Sequence, residues 1–155
     1  MIYACILAGG IGSRMGSEKP KQYINIGGKP IILHTAEKFC MCSEFRQILI
    51  LCPEDWMEYT EGLIRKHIGE DSRIRILPGG ETRNDTIQNA ITYIESIGEL
   101  DEDTVVVTHD AVFVNLCKII SHDTASFLFI LLLSISVSTL SVKTFFRFDH
   151  SSDIT

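Results

Sequence analysis

The loop at residues 7–22, LAGGIGSRMGSEKPKQ, combines residue types that suit the binding of a phosphate group. Its glycines allow tight backbone turns and can expose N–H groups to an anion. Arg14 and Lys21 add two cations, because an arginine can bridge two phosphate oxygens and a lysine supplies a point charge. Pro20 stiffens the approach to Lys21. The loop therefore predicts recognition of a phosphorylated ligand.

This loop fits neither of two common glycine motifs. The dinucleotide fingerprint G-x-G-x-x-G, begun at Gly10 and Gly12, would need a third glycine where Met15 stands. No window supplies the P-loop pattern G-x-x-x-x-G-K-[ST]. The alternative is a structural strand-to-helix turn with solvated charges, which the combination of G-x-G-x-R-M-G with P-K-Q disfavours.

The strands and helices that position the glycine loop can be predicted from the pattern of apolar residues. Apolar runs predict buried strands, and apolar residues at helical spacing predict helices, the first with Pro30 at its first helical position and the last ending at Gly98. The strands are expected at residues 2–7, 47–52, 74–77 and 104–108, and the helices at 30–39, 55–68 and 82–96. The alternation predicts an α/β fold, a Rossmann-like parallel sheet with helices on both faces.

Polar stretches follow three of these strands. After the first comes the glycine loop, after the third comes GGETRNDT at residues 79–86, and after the fourth come His109 and Asp110. Ligands of open α/β sheets bind outside the carboxyl ends of the strands, at a topological switch point. We therefore expect these three stretches to form one site.

Composition narrows the class of protein. The 155 residues carry a net charge of −6, which argues against nucleic-acid binding as the main activity. Five cysteines without framework spacing indicate reduced thiols, and the N-terminus lacks the basic region of a signal peptide, so a cytoplasmic protein is expected. Cys40 and Cys42 form a C-x-C without a second ligand pair, and we expect half-buried thiols at a helix end rather than a zinc site.

Four stretches in this order resemble the sugar-alcohol-phosphate cytidylyltransferases, a family of the nucleotidyltransferase (GT-A type) fold. They are the glycine loop with P-K-Q, GKPI at residues 28–31, GGETRNDT at 79–86 and THDAV at 108–112. The family includes methylerythritol 4-phosphate and ribitol-5-phosphate cytidylyltransferases. LAGG and PEDWM at residues 53–57 resemble the ribitol-5-phosphate branch more closely. The resemblance covers about residues 1–112.

This resemblance implies transfer of a cytidylyl group from CTP to a polyol phosphate, with pyrophosphate leaving. The acceptor would be ribitol 5-phosphate, which gives CDP-ribitol, with methylerythritol 4-phosphate as the alternative. Arg14 and Lys21 would be catalytic, stabilising charge on the phosphates, and Asp110 would hold Mg²⁺. The Thr86 hydroxyl would help to read cytosine against uracil. The nucleotide-binding residues implied are Leu7, Ala8, Gly9, Gly10, Gly79, Gly80, Glu81, Thr82, Arg83, Asn84, Asp85 and Thr86.

Some of these residues have simpler alternatives. Arg83 and Asp85 could instead cap the helix that follows them. His109 is expected to orient by hydrogen bonding rather than to catalyse. Trp56 and Tyr59 are expected to be core or helix-face aromatics.

The sequence changes character after Val112. The family pattern H-D-A-x-R-P-F is not continued, and all 11 glycines and all four prolines precede residue 113. We therefore divide the chain into a CTP-binding domain at residues 1–112 and a divergent tail at 113–155. The tail offers no candidates for the family's acceptor contacts or for the arm that forms its homodimer.

Three interpretations of the tail remain open. The one we favour is an altered, prematurely ended C-terminal part produced by a shift of coding frame after Val112. The second is divergent strands that complete the sheet. The third is a membrane span, since residues 125–142 carry no charge over 18 positions. The corresponding alternatives for function are an inactive CTP-binding remnant and a membrane-tethered interaction protein.

Overall fold

The computed structural model describes residues 1–10 and 19–112, together with the backbone of residues 145–147. The seven strands among these are β1 (Ile2–Leu7), β2 (Asn25–Ile26), β3 (Lys29–Pro30), β4 (Gln47–Cys52), β5 (Ile74–Pro78), β6 (Val105–Asp110) and β7 (Phe145–Arg147). The three α-helices are α1 (Ile31–Cys40), α2 (Met57–His67) and α3 (Arg83–Ser96). Each predicted strand and helix is present, with shifts of a few residues at its ends.

The main sheet has the strand order β5-β4-β1-β6-β7. Strand β1 pairs in parallel with both β4 and β6, and β4 pairs in parallel with β5. The chain therefore runs outward from β1 to β5 and then returns to the other side of β1. The reversal puts the topological switch point between the carboxyl ends of β1 and β6.

Both faces of the sheet are buried, which explains the continuous apolar strands. Successive side chains of a strand point to opposite faces. Ala4 and Ile6 of β1 belong to a core cluster that also contains buried residues of α1 and α2. Tyr3 and Cys5 of the same strand belong to a second cluster that contains Ile87, Ala90 and Ile94 of α3. The predicted Rossmann-like sheet with helices on both faces is confirmed.

Two element boundaries differ from the sequence prediction. Pro30 precedes α1 as its N-cap and pairs with Asn25 in the small β2-β3 hairpin, because its extended backbone continues that strand. Strand β6 continues through His109 and Asp110, which lie opposite Ile6 and Leu7 of β1. The polar pair is therefore held within the parallel ladder rather than in a loop beyond it.

Helix α3 is capped at both ends. At its start, the Thr82 hydroxyl accepts from the Asp85 backbone N–H at 3.1 Å, and the Asp85 carboxylate accepts from the Thr82 N–H at 2.9 Å, a capping box. At its end, the Gly98 N–H donates to Glu95 at 2.9 Å, and the Glu99 N–H donates to Ile94 at 3.2 Å. Gly98 has φ +70°, as this Schellman pattern requires.

The tail contributes little to this description. Strand β7 pairs antiparallel with β6, from Val105–Arg147 to Val107–Phe145. The uncharged segment 125–142 lies outside the described residues, and the predicted division at Val112 stays a prediction. In the part of the chain that is described, no helix is long and apolar enough to cross a membrane.

Candidate functional site

A cleft lies at the carboxyl ends of β1 and β6, at the switch point of the sheet. The end of β1, the end of β6 with the two residues after it, the turn at Lys21 and Gln22, and the start of α3 with the loop before it all contribute to its lining. The lining residues are Leu7, Ala8, Gly9, Gly10, Lys21, Gln22, Gly80, Glu81, Thr82, Arg83, Thr86, Asp110, Ala111 and Val112. The described parts of the three stretches therefore line one cleft, although His109 of the third stretch does not.

Two glycine-containing loops meet above the end of β4. The Ala8 N–H donates to the Leu51 carbonyl at 2.7 Å, and the Gly79 N–H donates to the Cys52 carbonyl at 2.7 Å. A Cβ added at Gly79 would lie 3.1 Å from the Gly9 Cα. A side chain at Gly79 or Gly9 would require its neighbour to move by a few tenths of an ångström, so this close approach favours glycine.

Gly80 is the most constrained glycine of the site. A Cβ at this position would lie 2.3 Å from the Asp85 Cβ and 2.8 Å from the Thr86 backbone nitrogen. The backbone therefore passes directly against the first turn of α3. Any side chain here would displace the loop from the helix.

Thr86 joins this loop to the helix. The Gly80 N–H donates to the Thr86 Oγ1 at 2.9 Å, and that hydroxyl donates in turn to the Thr82 carbonyl at 2.9 Å. The side chain is buried, although it contributes to the cleft wall. Its only hydroxyl proton is thus already used within the protein.

Asp85 caps helix α3, as the alternative to a nucleotide-binding role predicted. Besides the Thr82 N–H, its carboxylate accepts from the Thr82 hydroxyl at 2.7 Å. Neither Asp85 nor its neighbour Asn84 lines the cleft, whereas Arg83 does. Of the predicted nucleotide-binding residues, Gly79 also lies behind the lining, where it supports Gly9.

Lys21 is presented by a turn that is anchored on both sides. The adjacent Gln22 is 1% exposed, and its Nε2 donates to the carbonyl oxygen of Ala8 at the end of β1. The next residue, Tyr23, is fully buried, and its hydroxyl lies 2.7 Å from the Thr60 Oγ1. Because Thr60 donates to the Trp56 carbonyl at 2.7 Å, Tyr23 is the donor to Thr60. These bonds fix the turn, and Lys21 faces the cleft from it.

An aromatic cluster packs behind this turn. The ring of Tyr23 stacks on Trp56 with centroids 4.5 Å apart and meets Tyr59 edge to face at 5.6 Å. Burial raises the pKa of the Tyr23 hydroxyl. Neither Trp56 nor Tyr59 lines the cleft, which agrees with the prediction of core or helix-face aromatics.

Asp110 ends β6 directly beside Leu7, with its carboxylate at the cleft. Its Oδ1 accepts from the Val112 N–H at 3.4 Å, which leaves further lone pairs of the carboxylate for a ligand. The preceding His109 is 5% exposed, and its ring meets Phe39 edge to face at 5.4 Å. His109 therefore packs into the core, and the orienting hydrogen-bond role expected of it stays a prediction.

Asp110 is the residue predicted to hold Mg²⁺ in the cleft. Within residues 1–10 and 19–112, no three His, Cys, Asp or Glu side chains come together in a way that could hold a metal ion. The cleft lining contains two carboxylates, Glu81 and Asp110. The half-exposed Asp110 suits Mg²⁺, which is usually bound by one or two carboxylates together with substrate phosphates and water. Cys40 and Cys42 are half-buried thiols at the end of α1, as predicted.

The cleft lining also includes three residues for which the sequence predicted no role. Gln22, Ala111 and Val112 line the cleft. The Ala111 N–H donates to the Leu7 carbonyl at 3.0 Å, and its own carbonyl accepts from the Thr35 hydroxyl at 3.0 Å. Gln22 could have been found, because it is the last residue of the P-K-Q motif. The predicted catalytic residue Arg14 lies outside the described residues.

Comparison with known proteins identifies the family. The family model described as "IspD: 2-C-methyl-D-erythritol 4-phosphate cytidylyltransferase" matches residues 2–128. The chain belongs to the IspD family. The match continues beyond Val112, further than the motifs read from the sequence. The predicted family of sugar-alcohol-phosphate cytidylyltransferases is confirmed, whereas the ribitol-5-phosphate branch is not the one that the family model describes.

Solved structures of proteins described as 2-C-methyl-D-erythritol 4-phosphate cytidylyltransferases or as 4-diphosphocytidyl-2C-methyl-D-erythritol synthases share this fold. The 2-C-methyl-D-erythritol 4-phosphate cytidylyltransferase of Francisella tularensis is 28% identical, with a TM-score of 0.56 over 89% of this chain and 53% of that one. A 4-diphosphocytidyl-2C-methyl-D-erythritol synthase is 21% identical, with a TM-score of 0.59 over 75% and 48%. The synthase from Anaerococcus prevotii is 22% identical, with a TM-score of 0.52 over 86% and 50%. The chain spans about half the length of these proteins.

Proposed function

We propose that the cleft binds CTP and supports transfer of its cytidylyl group to a sugar-alcohol phosphate, with release of pyrophosphate. The observation that supports this proposal best is the meeting of the two glycine loops beside Lys21 and Asp110. It occurs at the switch point of a sheet whose sequence matches the IspD family from residue 2 to residue 128. A glycine-containing loop, a lysine on an anchored turn and a carboxylate at the same edge of the sheet suit a nucleoside triphosphate.

Lys21 would neutralise charge on the phosphates. Phosphoryl-type transfer needs little covalent help from a protein, so positioning and electrostatic stabilisation carry the rate. A lysine on an anchored turn can meet developing negative charge with little reorganisation. Arg14, on the same loop in sequence, is proposed to act with it.

Asp110 would hold Mg²⁺ against the phosphates. When bound, the ion would neutralise phosphate charge and help to orient the triphosphate. The chain's own contribution is a carboxylate fixed at the end of β6 by its pairing with β1. Asp110→Asn should therefore weaken magnesium-dependent CTP binding.

The proposed acceptor is 2-C-methyl-D-erythritol 4-phosphate. The family match and the similar solved proteins favour this alcohol. Ribitol 5-phosphate is the second candidate, since LAGG and PEDWM at residues 53–57 resemble that branch. Both acceptors present a hydroxyl chain ending in a phosphate, so the same transfer chemistry serves either one.

Pyrophosphate release from the full chain with CTP and Mg²⁺ tests the proposal. We expect release that depends on the acceptor and is faster with methylerythritol 4-phosphate than with ribitol 5-phosphate. Lys21→Ala should lower kcat by about 100-fold, the usual cost of removing one group that stabilises transition-state charge. Lys19→Ala is the matched control, because the Lys19 Nζ lies 5.5 Å from the Tyr59 ring centroid rather than in the cleft lining.

Calorimetry with CTP separates transfer from binding alone. CTP affinity without product from either acceptor would select the alternative of a CTP-binding protein without turnover. Absence of CTP binding would refute both forms of the proposal. Equal losses of rate in Lys19→Ala and Lys21→Ala would refute the role given to Lys21.

A further inference from the structure

We infer that Thr35 is a positioning residue that orients the Asp110 carboxylate for a divalent cation bound together with the nucleotide. The inference rests on the proposed function and adds to it a residue of α1 that lies outside the cleft lining. The sequence predicted no role for Thr35. Two hydrogen bonds, made by the two ends of one peptide group, connect its side chain to that of Asp110.

Thr35 is a polar residue on the buried face of α1. Its side chain is fully buried, and the residues of the helix that surround it on this face, Ile32, Ala36 and Phe39, belong to the apolar core. A hydroxyl in such surroundings is costly unless it is hydrogen-bonded. The Thr35 hydroxyl donates to the Ala111 carbonyl oxygen at 3.0 Å. This bond therefore links the helix to the segment that follows β6.

The peptide group between Ala111 and Val112 connects that bond to Asp110. Its carbonyl oxygen accepts from Thr35, and its N–H donates, over a longer distance of 3.4 Å, to the Asp110 Oδ1. A trans peptide group is planar, with its C=O and N–H pointing in opposite directions. Holding the carbonyl toward α1 therefore holds the N–H toward the carboxylate.

The contacts of β6 with β1 fix the backbone of Asp110 rather than its side chain. Asp110 lies opposite Leu7, and the Ala111 N–H donates to the Leu7 carbonyl at 3.0 Å. Neither contact selects the side-chain rotamer, whereas the Val112 N–H touches the carboxylate itself. Carboxylates that ligate a cation depend on such outer hydrogen bonds for their orientation. Loss of the Thr35 bond should therefore weaken cation binding more than nucleotide binding.

Calorimetric titration with CTP at a series of Mg²⁺ concentrations tests the inference. Thr35→Val keeps the branched shape and removes the hydroxyl. We expect it to raise the Mg²⁺ concentration that gives half of the gain in CTP affinity by about tenfold, as for loss of an outer partner of a metal ligand. CTP affinity in EDTA should stay within about twofold of the wild type, since the cation is then absent. Thr35→Ser, which keeps the hydroxyl, should restore the wild-type dependence on Mg²⁺.

Thr104→Val is the matched control. Thr104 is also fully buried, and its hydroxyl donates to the Asp101 carboxylate at 2.6 Å, but it lies just before the start of β6, outside the cleft lining. This variant removes a buried hydrogen bond far from Asp110, so it should leave the dependence on Mg²⁺ unchanged. A shift as large as that of Thr35→Val, or an unchanged dependence in Thr35→Val, would overturn the inference.

Amide exchange of the free wild-type chain tests the same network without any variant. The Val112 N–H should exchange with deuterium more slowly than an unprotected amide, because it is bonded to Asp110. Exchange at the unprotected rate would overturn the inference even if Thr35→Val did not fold. A wild type that binds no CTP, or binds it equally well without Mg²⁺, would instead reject the proposed function.

Discussion

A side chain at Gly80 would collide with Asp85 and Thr86, which lie in the first turn of α3. A side chain at Gly79 would make a tight contact with the Gly9 backbone. Neither glycine has the positive φ that explains Gly98. Close approach of the backbone, to the Gly9 loop at Gly79 and to helix α3 at Gly80, therefore favours glycine at these two positions beside the cleft.

Gly80→Ala should damage the site through this collision. The added Cβ would lie 2.3 Å from the Asp85 Cβ, so the loop must shift away from α3. We expect CTP affinity to fall by at least tenfold and the free energy of unfolding to fall by about 1–3 kcal/mol, as for other overpacked positions. Calorimetry and urea unfolding measure the two effects.

Gly62→Ala is the control for that substitution. Gly62 is exposed on α2, and a Cβ there meets nothing within 4 Å. This variant should leave CTP affinity unchanged and raise stability by up to about 1 kcal/mol, since alanine favours a helix. Equal behaviour of the two alanine variants would contradict the steric account of Gly80.

At the scale of elements, the site depends on short connections rather than on long helices. The 3-10 turn Lys21–Tyr23 is held to β1 by Gln22 and to α2 by Tyr23. A lysine on a free loop would lose side-chain and backbone entropy on meeting phosphate. The two anchors reduce that cost before the ligand arrives.

Gln22→Leu should therefore weaken both the fold and the site. The substitution removes a buried donor to the Ala8 carbonyl, which should cost about 1–3 kcal/mol in urea unfolding. CTP affinity should also fall, because Ala8 and Lys21 both line the cleft. Gln88→Leu makes the same change at an exposed position of α3 and should do neither. Normal CTP affinity in Gln22→Leu would contradict the anchoring role.

The sequence predicted elements better than contacts between them. Apolar runs such as QILILC identified the strands because both faces of a parallel sheet are buried. The length of β6 was missed, since His109 and Asp110 are polar and only their pairing with β1 keeps them in the sheet. The Gly9–Gly79 approach joins positions about 70 residues apart in sequence. No local sequence pattern predicts a contact between positions so far apart. Only the presence of a glycine motif after each of the two strands indicated that the two loops could meet.

At the scale of the whole molecule, Arg73 links the end of α1 to the segment just before β5. Its guanidinium donates to the Cys42 carbonyl at 2.7 Å and to the Cys40 carbonyl at 2.8 Å, at the end of α1. It also pairs with Asp71 at 2.7 Å, just before β5. A cation at a helix C-terminus is favoured by the helix dipole as well.

The pairing with Arg73 makes stability depend on pH through Asp71. Hydrogen bonds from Arg73 lower the pKa of the Asp71 carboxyl below its ordinary value of 3.8. A lowered pKa in the folded state stabilises the protein above the ordinary value, and this stabilisation is lost as the pH falls through the folded value. We expect Asp71→Asn to cost about 1–2 kcal/mol at pH 7 and progressively less below pH 4. Urea unfolding at pH 7, 5 and 3 measures the difference.

Glu61→Gln is the matched control for Asp71→Asn. Glu61 pairs with Arg65 at 3.2 Å, but both side chains are more than 60% exposed. Such a pair contributes roughly 0.3–0.5 kcal/mol, so the control should change stability little at any pH. A difference between Asp71→Asn and the wild type that stays constant from pH 7 to pH 3 would contradict the assignment to this pair.

Two fully buried thiols offer a probe of the same global unfolding. Burial raises the pKa of the Cys5 thiol to about 12 and raises that of Cys52 as well, so neither is a thiolate at neutral pH. We expect both to resist iodoacetamide in the native protein and to react once urea opens the sheet, as followed by mass spectrometry of peptides. Cys42 is partly exposed and serves as the internal reference, reacting first. Because Cys5 and Cys52 belong to opposite faces of the sheet, they should become reactive at the same urea concentration. Separate transitions would contradict a single cooperative core.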